Sequence, residues 1–386
     1  RLLGFIHSSR SVGAAMFLKH PNFIPQLMEN LLSAPIVARG HLSSSSRSLP
    51  NMQRRAVKYF EFGDPRKVVK LVKESISTNL GPSEVIVQWL AAPINPLDIN
   101  KIQGAYMLKP ELPCIAGSEG VGQVFKIGAS VRSVRVGDHV TMMTMNNATW
   151  CDYSVAEEDD LHVVDKRIPP RLAATLMVNP PTAYQMLLVM GKLKRGDWIV
   201  QNSANSGVGR AVIEIAKDKG FHTLNVVRNR PDIAALKAEL QAMGADEVWT
   251  EEEFREASRP FKGRPVLALN GVGGKSCLQI TGLLARGGLM ITYGGMSKEA
   301  HQISTSSLLF NGITAVGIAN GMWQMENVEE ARSMHKDIQD MCVRGKLTAP
   351  PMDDRSLEEY GVALANSMDG KHRKQIFIMD IDRAKI

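Results

Sequence analysis

The sequence predicts an α/β protein that combines a β-rich domain with a doubly wound parallel sheet. Two textures along the chain support this prediction. From about residue 57 to residue 168, short alternating runs are broken by Gly and Pro, whereas after Pro180 strands alternate with helices. The length of 386 residues also exceeds what one small core organises, so we expect more than one domain.

The β-rich part is indicated by short runs of alternating apolar and polar residues. Residues 84–89 and 120–124 are examples, and both are bounded by turn-forming residues. Residues 136–140 contain Gly137-Asp138 and predict a tight bend between two strands. These patterns are typical of a barrel-like unit.

The second part shows the β-α-β-α order of a parallel sheet with helices on its faces. The predicted elements are a strand at 197–201, a helix at 208–219 that Gly220 stops, a strand at 222–227, a helix at 231–243 that Gly244 stops, strands at 266–269 and 289–293, a helix at 325–344 that Gly345 stops, and a terminal strand at 375–379.

The net charge of +7 is concentrated at the beginning of the chain. Residues 1–60 contain eight Lys and Arg residues and one acid, Glu29, so the remaining chain is balanced. A balanced body without a basic tract argues against nucleic-acid binding. The Arg- and Ser-rich, acid-poor composition predicts a mitochondrial presequence, although a disordered tail would share it, and Met52 could serve as an internal start.

Two classes of protein are disfavoured by what the sequence lacks. It contains no run of eighteen apolar residues, so we expect no membrane insertion. Its four cysteines, Cys114, Cys151, Cys277 and Cys342, are far apart and form no C-x-x-C pair. A disulfide framework and a structural zinc site are therefore not expected, and a reducing compartment fits.

A glycine-containing loop at residues 201–210 lies where a strand should end and a helix begin. Backbone N–H groups at such a helix start can receive a pyrophosphate. Ala204 and Ser206 occupy the first two glycine positions of the G-x-G-x-x-G pattern, and only Gly209 matches the third. By itself, the loop could equally be an ordinary turn.

The residues after the next strand favour a phosphorylated cofactor. Arg228, Asn229 and Arg230 lie about twenty residues beyond the loop, where an NAD-binding protein carries an acid for the ribose hydroxyls. A guanidinium suits a 2′-phosphate, so NADPH is predicted unless these arginines are only solvated surface charges. A later turn, Tyr293-Gly294-Gly295-Met296, is a candidate for the nicotinamide end.

Several blocks in order make the chain resemble the mitochondrial enoyl-acyl-carrier-protein reductases (trans-2-enoyl-CoA reductases) of the zinc-free medium-chain dehydrogenase/reductase superfamily. The blocks are residues 94–100, 103–106, 110–113, 117–120, 202–209, 225–232 and 292–296. The resemblance implies a GroES-like β-rich catalytic domain, a Rossmann cofactor domain and a homodimer. It also implies NADPH-dependent reduction of trans-2-enoyl thioesters, carried by acyl carrier protein or CoA, for fatty acid synthesis in the mitochondrial matrix.

The resemblance divides the chain into four segments. These are a presequence at 1–54, a first part of the catalytic domain at 55–184, an NADPH-binding Rossmann domain at 185–324 and a second part of the catalytic domain at 325–386.

The resemblance assigns the catalytic role to Tyr106, in the Gln-Gly-x-Tyr block. A phenol with a pKa near ~10 is protonated at neutral pH and can donate a proton or stabilise an enolate. Where the family usually has aromatic residues, this chain has Ile318, Ala319 and Asn320, so acyl-chain preference is left open. The positions that correspond to NADPH-binding residues are Asn179, Asn205, Ser206, Gly207, Val208, Arg228, Asn229, Arg230, Tyr293, Gly294, Gly295, Met296, Ile318, Ala319, Asn320 and Lys374.

Three alternatives remain at this stage. A zinc alcohol dehydrogenase would have a histidine in the block Gly117-Ser118-Glu119, so no metal is expected and Glu119 is interpreted as structural. A zinc-free quinone or enone reductase would use the same cofactor. A non-catalytic nucleotide-binding protein would keep the fold without the chemistry. If the carrier is acidic, Lys101, Lys109, Arg171 and Lys374 are candidates for a basic patch.

Overall fold

The structure is a computed structural model that describes residues 51–107, 109–142, 148–370 and 373–379. These residues belong to one compact unit. Most of the predicted presequence lies outside the described residues. Residues 51–54, which the prediction included in it, form the beginning of the first strand.

The N-terminal half is rich in short strands, as predicted. Its strands are β1 (Asn51–Tyr59), β2 (Val69–Ser77), β3 (Glu84–Pro93), β4 (Cys114–Ile115), β5 (Val121–Ile127), β6 (His139–Met142), β7 (Tyr153–Glu157) and β8 (Leu161–Val164). Its helices are α1 (Pro65–Val68), α2 (Pro96–Ile102), α3 (Pro170–Ala173) and α4 (Asn179–Tyr184), which continues as a π-helical turn at Gln185–Met190. β1 pairs along its whole length with β2 and at its end with β4, so these strands form a small antiparallel sheet.

The second half alternates strands and helices. Its strands are β9 (Trp198–Gln201), β10 (His222–Val227), β11 (Glu247–Thr250), β12 (Pro265–Asn270), β13 (Leu289–Thr292) and β14 (Thr314–Gly317). The helices are α5 (Gly207–Lys219), α6 (Ile233–Met243), α7 (Phe254–Ala257), α8 (Gly274–Thr281), α9 (Thr305–Leu309), α10 (Asn320–Glu326) and α11 (Val328–Val343). The six strands are all parallel, in the order β11-β10-β9-β12-β13-β14. This is the doubly wound order of a Rossmann sheet, in which ligands bind at the carboxyl ends of the strands.

The end of the chain returns to the β-rich part. β15 (Met352–Arg355), α12 (Tyr360–Asp369) and β16 (Lys374–Ile378) follow α11. β16 pairs antiparallel with β3, with Phe377 opposite Ala92, and the larger β-rich sheet has the order β15-β16-β3-β5-β6-β8, with β7 also on β3. The ring of Phe377 packs edge-on against the buried ring of Trp150, at 5.2 Å between centroids. The first and last segments of the described chain therefore share one core.

The predicted elements of the Rossmann part are confirmed, apart from their ends. Gly220 stops α5 with φ +76°, a left-handed conformation that glycine adopts without strain. The single helix predicted at 325–344 is wrong at its beginning, because the structure has two helices that meet at Asn327. The backbone of Asn327 is not helical (φ −128°, ψ 60°). Its side-chain Nδ2 donates to the carbonyl of Trp323, and this hydrogen bond terminates α10 at the preceding residue, Glu326.

Candidate active site

One cavity of about 500 Å³ lies where the β-rich part meets the carboxyl edge of the parallel sheet. The α2 segment contributes Asn100, Lys101, Gln103 and Tyr106 to its lining. The start of α4 contributes Met177, Val178 and Thr182. The loops after β13 and β14 contribute Tyr293, Gly294, Gly295, Met296, Ile318, Ala319 and Asn320. The cavity thus brings together residues from three distant parts of the sequence.

Tyr106 lies on a short loop that α2 holds in place. The backbone N–H groups of Ala105 and Tyr106 both donate to the carbonyl of Asn100, at 2.9 and 3.2 Å. Gly104, which precedes them, has φ +67°, and a Cβ there would lie 3.0 Å from the side chain of Phe62. A glycine is therefore required before the tyrosine. Burial raises the pKa of Tyr106, so its phenol is protonated throughout the neutral range.

The loop after β9 forms the N-terminus of α5, as the sequence predicted. The hydroxyl of Ser206 caps the helix by accepting a hydrogen bond from the N–H of Gly209 at 3.1 Å. A Cβ on Gly207 would lie 2.9 Å from the amide carbon of Asn179, so the two residues are in close contact. Asn179 Nδ2 is buried and has no hydrogen-bond partner among the described residues. A donor without a partner beside a helix N-terminus is a suitable place for a polar ligand.

The arginines after β10 lie outside the cavity. Arg228 and Asn229 are exposed, and Nη2 of Arg228 donates to the carbonyl of Gly370 at 3.4 Å. The guanidinium of Arg230 lies 2.6 Å from the carboxylate of Asp232. Since β10 is the direct neighbour of β9 in the sheet, these side chains begin at the same carboxyl edge as the loop at 201–210. Both segments therefore lie at one edge of the sheet.

The glycine turn after β13 connects the cavity with this loop. The N–H of Tyr293 donates to the carbonyl of Asn270 at 3.0 Å, and the N–H of Met296 donates to the carbonyl of Gly271 at 3.1 Å. Both ends of the turn are therefore held to the last residue of β12 and the residue that follows it. Burial raises the pKa of Tyr293 to about 12, and its interaction with the Ser206 side chain opposes that rise. Residues from the two predicted cofactor segments are therefore neighbours.

The segment after β14 forms the opposite part of the lining. The N–H of Ile318 donates to the carbonyl of Thr292 at 3.0 Å, which holds the segment to the end of β13. Ala319 is exposed, and Asn320 begins α10 with its Oδ1 buried and without a hydrogen-bond partner among the described residues. The segment presents one apolar, one small and one polar side chain around the cavity.

Comparisons with known proteins bear on this site. The alcohol dehydrogenase GroES-like domain family matches residues 81–175. A Caenorhabditis elegans mitochondrial enoyl-acyl-carrier-protein reductase is 50% identical over 335 residues, which are 85% of this chain and 96% of the relative. The Homo sapiens protein of the same name is 44% identical over 331 residues, 84% of this chain and 88% of the relative. The chain belongs to the mitochondrial enoyl-acyl-carrier-protein reductase family.

A solved structure agrees with this family assignment. The complex of Etr1p with NADP and crotonyl-CoA superposes with a TM-score of 0.79 at 33% identity, covering 85% of this chain and 100% of the other. The predicted fold of this chain, a GroES-like domain with a Rossmann domain, is thus confirmed.

Lys374, which the sequence predicted to bind the cofactor, does not line the cavity. Its ammonium group donates to Asn95 Oδ1, beside the carboxylates of Glu119 and Asp98. Burial lowers the pKa of Lys374, whereas the two carboxylates oppose that change. Lys374 therefore lies in a buried polar cluster behind the cavity.

The sequence interpretation missed the importance of this cluster. Glu119 is completely buried and accepts hydrogen bonds from Asn95 Nδ2 at 2.7 Å and from the N–H of Val178 at 3.0 Å. Burial raises its pKa to about 7, although Lys374 and these donors act in the opposite direction. The only signal in the sequence was that Asn95 and Glu119 fall in two of the family's blocks.

Some residues that line the cavity of this chain could not be predicted from a sequence motif. Thr182, Lys298 and Gln324 border the cavity but belong to no motif. Lys298 has φ +59°, which is unusual for a residue other than glycine. Gln324 is buried, and its Oε1 accepts from His335 Nε2 at 2.6 Å.

Two features are absent from the part of the chain that the structure describes, a metal-binding cluster and a membrane-spanning helix. No three His, Cys, Asp or Glu side chains there are grouped so that they could hold a metal ion. No helix within residues 51–107, 109–142, 148–370 and 373–379 has the length and apolar character needed to cross a membrane. The four cysteines are free thiols.

Proposed function

We propose that this chain reduces the double bond of trans-2-enoyl thioesters with NADPH in the mitochondrial matrix, and that Tyr106 provides the proton. The observation that carries the proposal is the shared cavity, which Tyr106 lines together with the glycine turn at the carboxyl edge of the Rossmann sheet. The similarity to Etr1p, solved with NADP and crotonyl-CoA, supports this chemistry. Mitochondrial fatty acid synthesis is the process that the relatives' shared name indicates.

The residues present are suited to NADPH. The pyrophosphate would lie on the N–H groups that begin α5, next to Asn205, Ser206, Gly207 and Val208. The unpaired Nδ2 of Asn179 would gain an acceptor there. The other positions proposed to hold the cofactor are Arg228, Asn229 and Arg230 at the 2′-phosphate, and Tyr293, Gly294, Gly295, Met296, Ile318, Ala319 and Asn320 towards the nicotinamide. Lys374 would act on the nicotinamide end only from behind this lining, through the buried cluster with Asn95.

The protonation step follows from the state of Tyr106. When bound, NADPH would supply a hydride to the β-carbon of the substrate, and the electron pair of the substrate's double bond would move towards the thioester carbonyl to give an enolate. Tyr106 is protonated because burial raises its pKa, so its O–H can hydrogen-bond the enolate and transfer its proton to the α-carbon. Water then returns a proton to the phenolate, which restores the enzyme.

NADPH oxidation by the full chain with crotonyl-CoA tests this proposal. Tyr106→Phe should lower kcat by about 10²–10⁴-fold, the usual contribution of a proton donor, with NADPH binding unchanged. Tyr153→Phe is the matched control, because the Tyr153 hydroxyl hydrogen-bonds Gln88 at 2.8 Å and does not border the cavity. Equal rates for Tyr106→Phe and wild type would refute the donor role. Turnover of a quinone but not of crotonyl-CoA would indicate a quinone reductase instead, and NADPH binding without turnover would indicate a binding protein.

We also propose that two copies of the chain associate through β14. In the described part of the chain, β14 pairs with β13 only, so its other edge is open. Leu309 and Phe310, which precede it, are 70% and 75% exposed, and adjacent exposed apolar side chains beside an open strand are typical of an association surface. The solved mitochondrial 2-enoyl thioester reductase of Candida tropicalis is an Etr1p/Etr2p heterodimer. A homodimer would cover the open strand and these side chains.

Sedimentation of the full chain tests the homodimer. Wild type should sediment as a dimer at micromolar concentration, and Leu309→Glu with Phe310→Glu should sediment as a folded monomer because charge is costly to bury. Val136→Glu is the control, because Val136 is similarly exposed, at 62%, on a turn of the β-rich part. A monomeric wild type would contradict the proposal.

The carrier is proposed to be acyl carrier protein or CoA. Of the four basic candidates, Lys101 borders the cavity and Lys109 lies 5.6 Å from the ring of Phe62 near the Tyr106 loop. Arg171 forms an ion pair with Asp354, and Lys374 is held in the buried cluster. Lys101 and Lys109 are therefore the better candidates for contacting a phosphorylated arm.

For the domain organisation, we propose catalytic segments at 55–184 and 325–386 around a cofactor domain at 185–324.

A further inference from the structure

A chain of hydrogen bonds passes behind the cavity from Lys374 to the start of α4. The Lys374 ammonium donates to Asn95 Oδ1, and Asn95 Nδ2 donates to Glu119 Oε1 at 2.7 Å. The other carboxylate oxygen, Oε2, accepts from the N–H of Val178 at 3.0 Å and from the N–H of Met177 at 3.3 Å. Every donor in this chain points towards Glu119, which is completely buried.

Glu119 thereby connects the two sides of the cavity. Asn95 immediately precedes α2, whose Asn100 carbonyl holds the loop of Tyr106. Met177 and Val178 line the cavity themselves and immediately precede α4, which begins at Asn179. One carboxylate therefore holds the segment that carries the proton donor to the segment that contacts the cofactor loop.

A buried carboxylate at this place is costly, and a stability argument does not explain it. Removing a charge from water costs several kcal/mol, and apolar residues of similar size often serve stability equally well. In its ionised form, the carboxylate offers two oxygens that only accept hydrogen bonds, one for each side of the cavity, and the partners of the Glu119 side chain in the structure are all donors. The two carboxylate oxygens of Glu119 therefore fix both the length and the direction of the hydrogen bonds that join Asn95 on one side of the cavity to Met177 and Val178 on the other.

We propose that Glu119 is a positioning residue that sets the separation between Tyr106 and the cofactor-binding face. This inference rests on the proposed reductase function. Because errors of about 1 Å in the placement of reacting groups can cost about 10²-fold in rate, a change in this link should lower kcat more than it affects binding.

Reversing the direction of the hydrogen bonds tests the proposal. Glu119→Gln places an amide donor against the Asn95 donor or against the two N–H groups, so one pair of donors must separate. Asn95→Asp places two carboxylates in contact. In the double variant, the amide nitrogen introduced at position 119 can donate to the carboxylate introduced at position 95, and the amide oxygen at position 119 can accept from the two N–H groups that precede α4. The double variant also keeps the number of carboxylates in the cluster.

We expect each single variant of the full chain to lower kcat with crotonyl-CoA by about tenfold to 10²-fold, with KM for NADPH within about threefold of wild type. The double variant should recover kcat to within about threefold of wild type, as expected for groups that act together. Glu214→Gln is the matched control. Glu214 is also a buried carboxylate with a raised pKa, but it hydrogen-bonds Thr348 and does not border the cavity, so its kcat should be unchanged.

The outcomes separate this inference from the proposed function. A wild type without activity on crotonyl-CoA overturns the function, and the positioning role with it. An active wild type whose single variants keep kcat, or whose double variant is folded and remains impaired, overturns the positioning role alone. If Glu119→Gln does not fold, the double variant decides: recovered folding and kcat support the role, and a double variant that does not fold overturns it.

Discussion

His335 should make the folded protein markedly less stable in mild acid. The residue lies on α11 with 1% of its surface exposed, and its Nε2 donates to Gln324 Oε1 at 2.6 Å. Burial, followed by the neighbouring His162, lowers the pKa of His335 to about 3. An unfolded histidine titrates near ~6.5, so between these values the unfolded chain binds a proton that the folded chain does not. His335 therefore leaves the free energy of unfolding unchanged above about pH 6.5 and lowers it progressively as the pH falls from there towards about 3.

The size of this loss follows from the two pKa values. Each pH unit below the pKa of the unfolded histidine lowers the free energy of unfolding by about 1.4 kcal/mol. Between about pH 8 and about pH 5, His335 should therefore lower the free energy of unfolding by about 2 kcal/mol. His335→Gln keeps a side-chain N–H for Gln324 but does not titrate. The variant should therefore be less stable than wild type at about pH 8 but should lose about 2 kcal/mol less of its unfolding free energy when the pH falls to about 5.

Urea unfolding followed by far-UV circular dichroism measures this difference. Wild type, His335→Gln and the surface control His222→Gln would be compared in steps between about pH 5 and about pH 8 at one protein concentration, because association also contributes to stability. Parallel pH dependences of wild type and His335→Gln would refute the reasoning, as would a His335 resonance that titrates near ~6.5 in the folded protein.

Three further predictions concern the cavity and the cofactor loop. Gly209→Ala should lower stability by about 1–3 kcal/mol and weaken NADPH binding, because its Cβ would lie 2.5 Å from the carbonyl of Ala204; thermal melts and NADPH titration measure this, and an unchanged melt would contradict it. Arg228→Ala should raise KM for NADPH by about tenfold or more but leave KM for NADH within about twofold, and equal effects on both cofactors would exclude a 2′-phosphate contact. Ala319→Trp should lower kcat/KM for 2-decenoyl-CoA by at least about tenfold more than for crotonyl-CoA, because an indole ring in place of the methyl group would fill acyl space. An equal loss for both substrates would show that residue 319 does not border the acyl chain.

The Rossmann elements could be predicted because their signals are local. Strand and helix periodicity and a stop at Gly220 depend on a few consecutive residues, and the structure reproduces the strand His222–Val227 as predicted. The break at Asn327 was missed because the apolar pattern continues across it. The backbone dihedrals of Asn327 and its side-chain hydrogen bond to Trp323 reveal that one helix ends there.

The candidate site was predictable only in part. Tyr106 and the turn at Tyr293 belong to recognisable blocks, and the structure brings both to one cavity. Lys374 was expected at the cofactor, whereas its ammonium group lies on Asn95 in a buried cluster. Gln324 was not expected at all, since a glutamine on an amphipathic helix has no pattern of its own.

The sequence alone therefore determined the fold class, the order of its elements and the family's chemistry, since these depend on local periodicity and on motifs of consecutive residues. Tertiary structure decided the surroundings of single polar residues such as Glu119, which the sequence interpretation treated as structural. Its partners Asn95 and Val178 are 24 and 59 positions away. Whether a carboxylate is solvated or is buried between two walls of a cavity depends on which distant segments fold against it, and no local pattern encodes that.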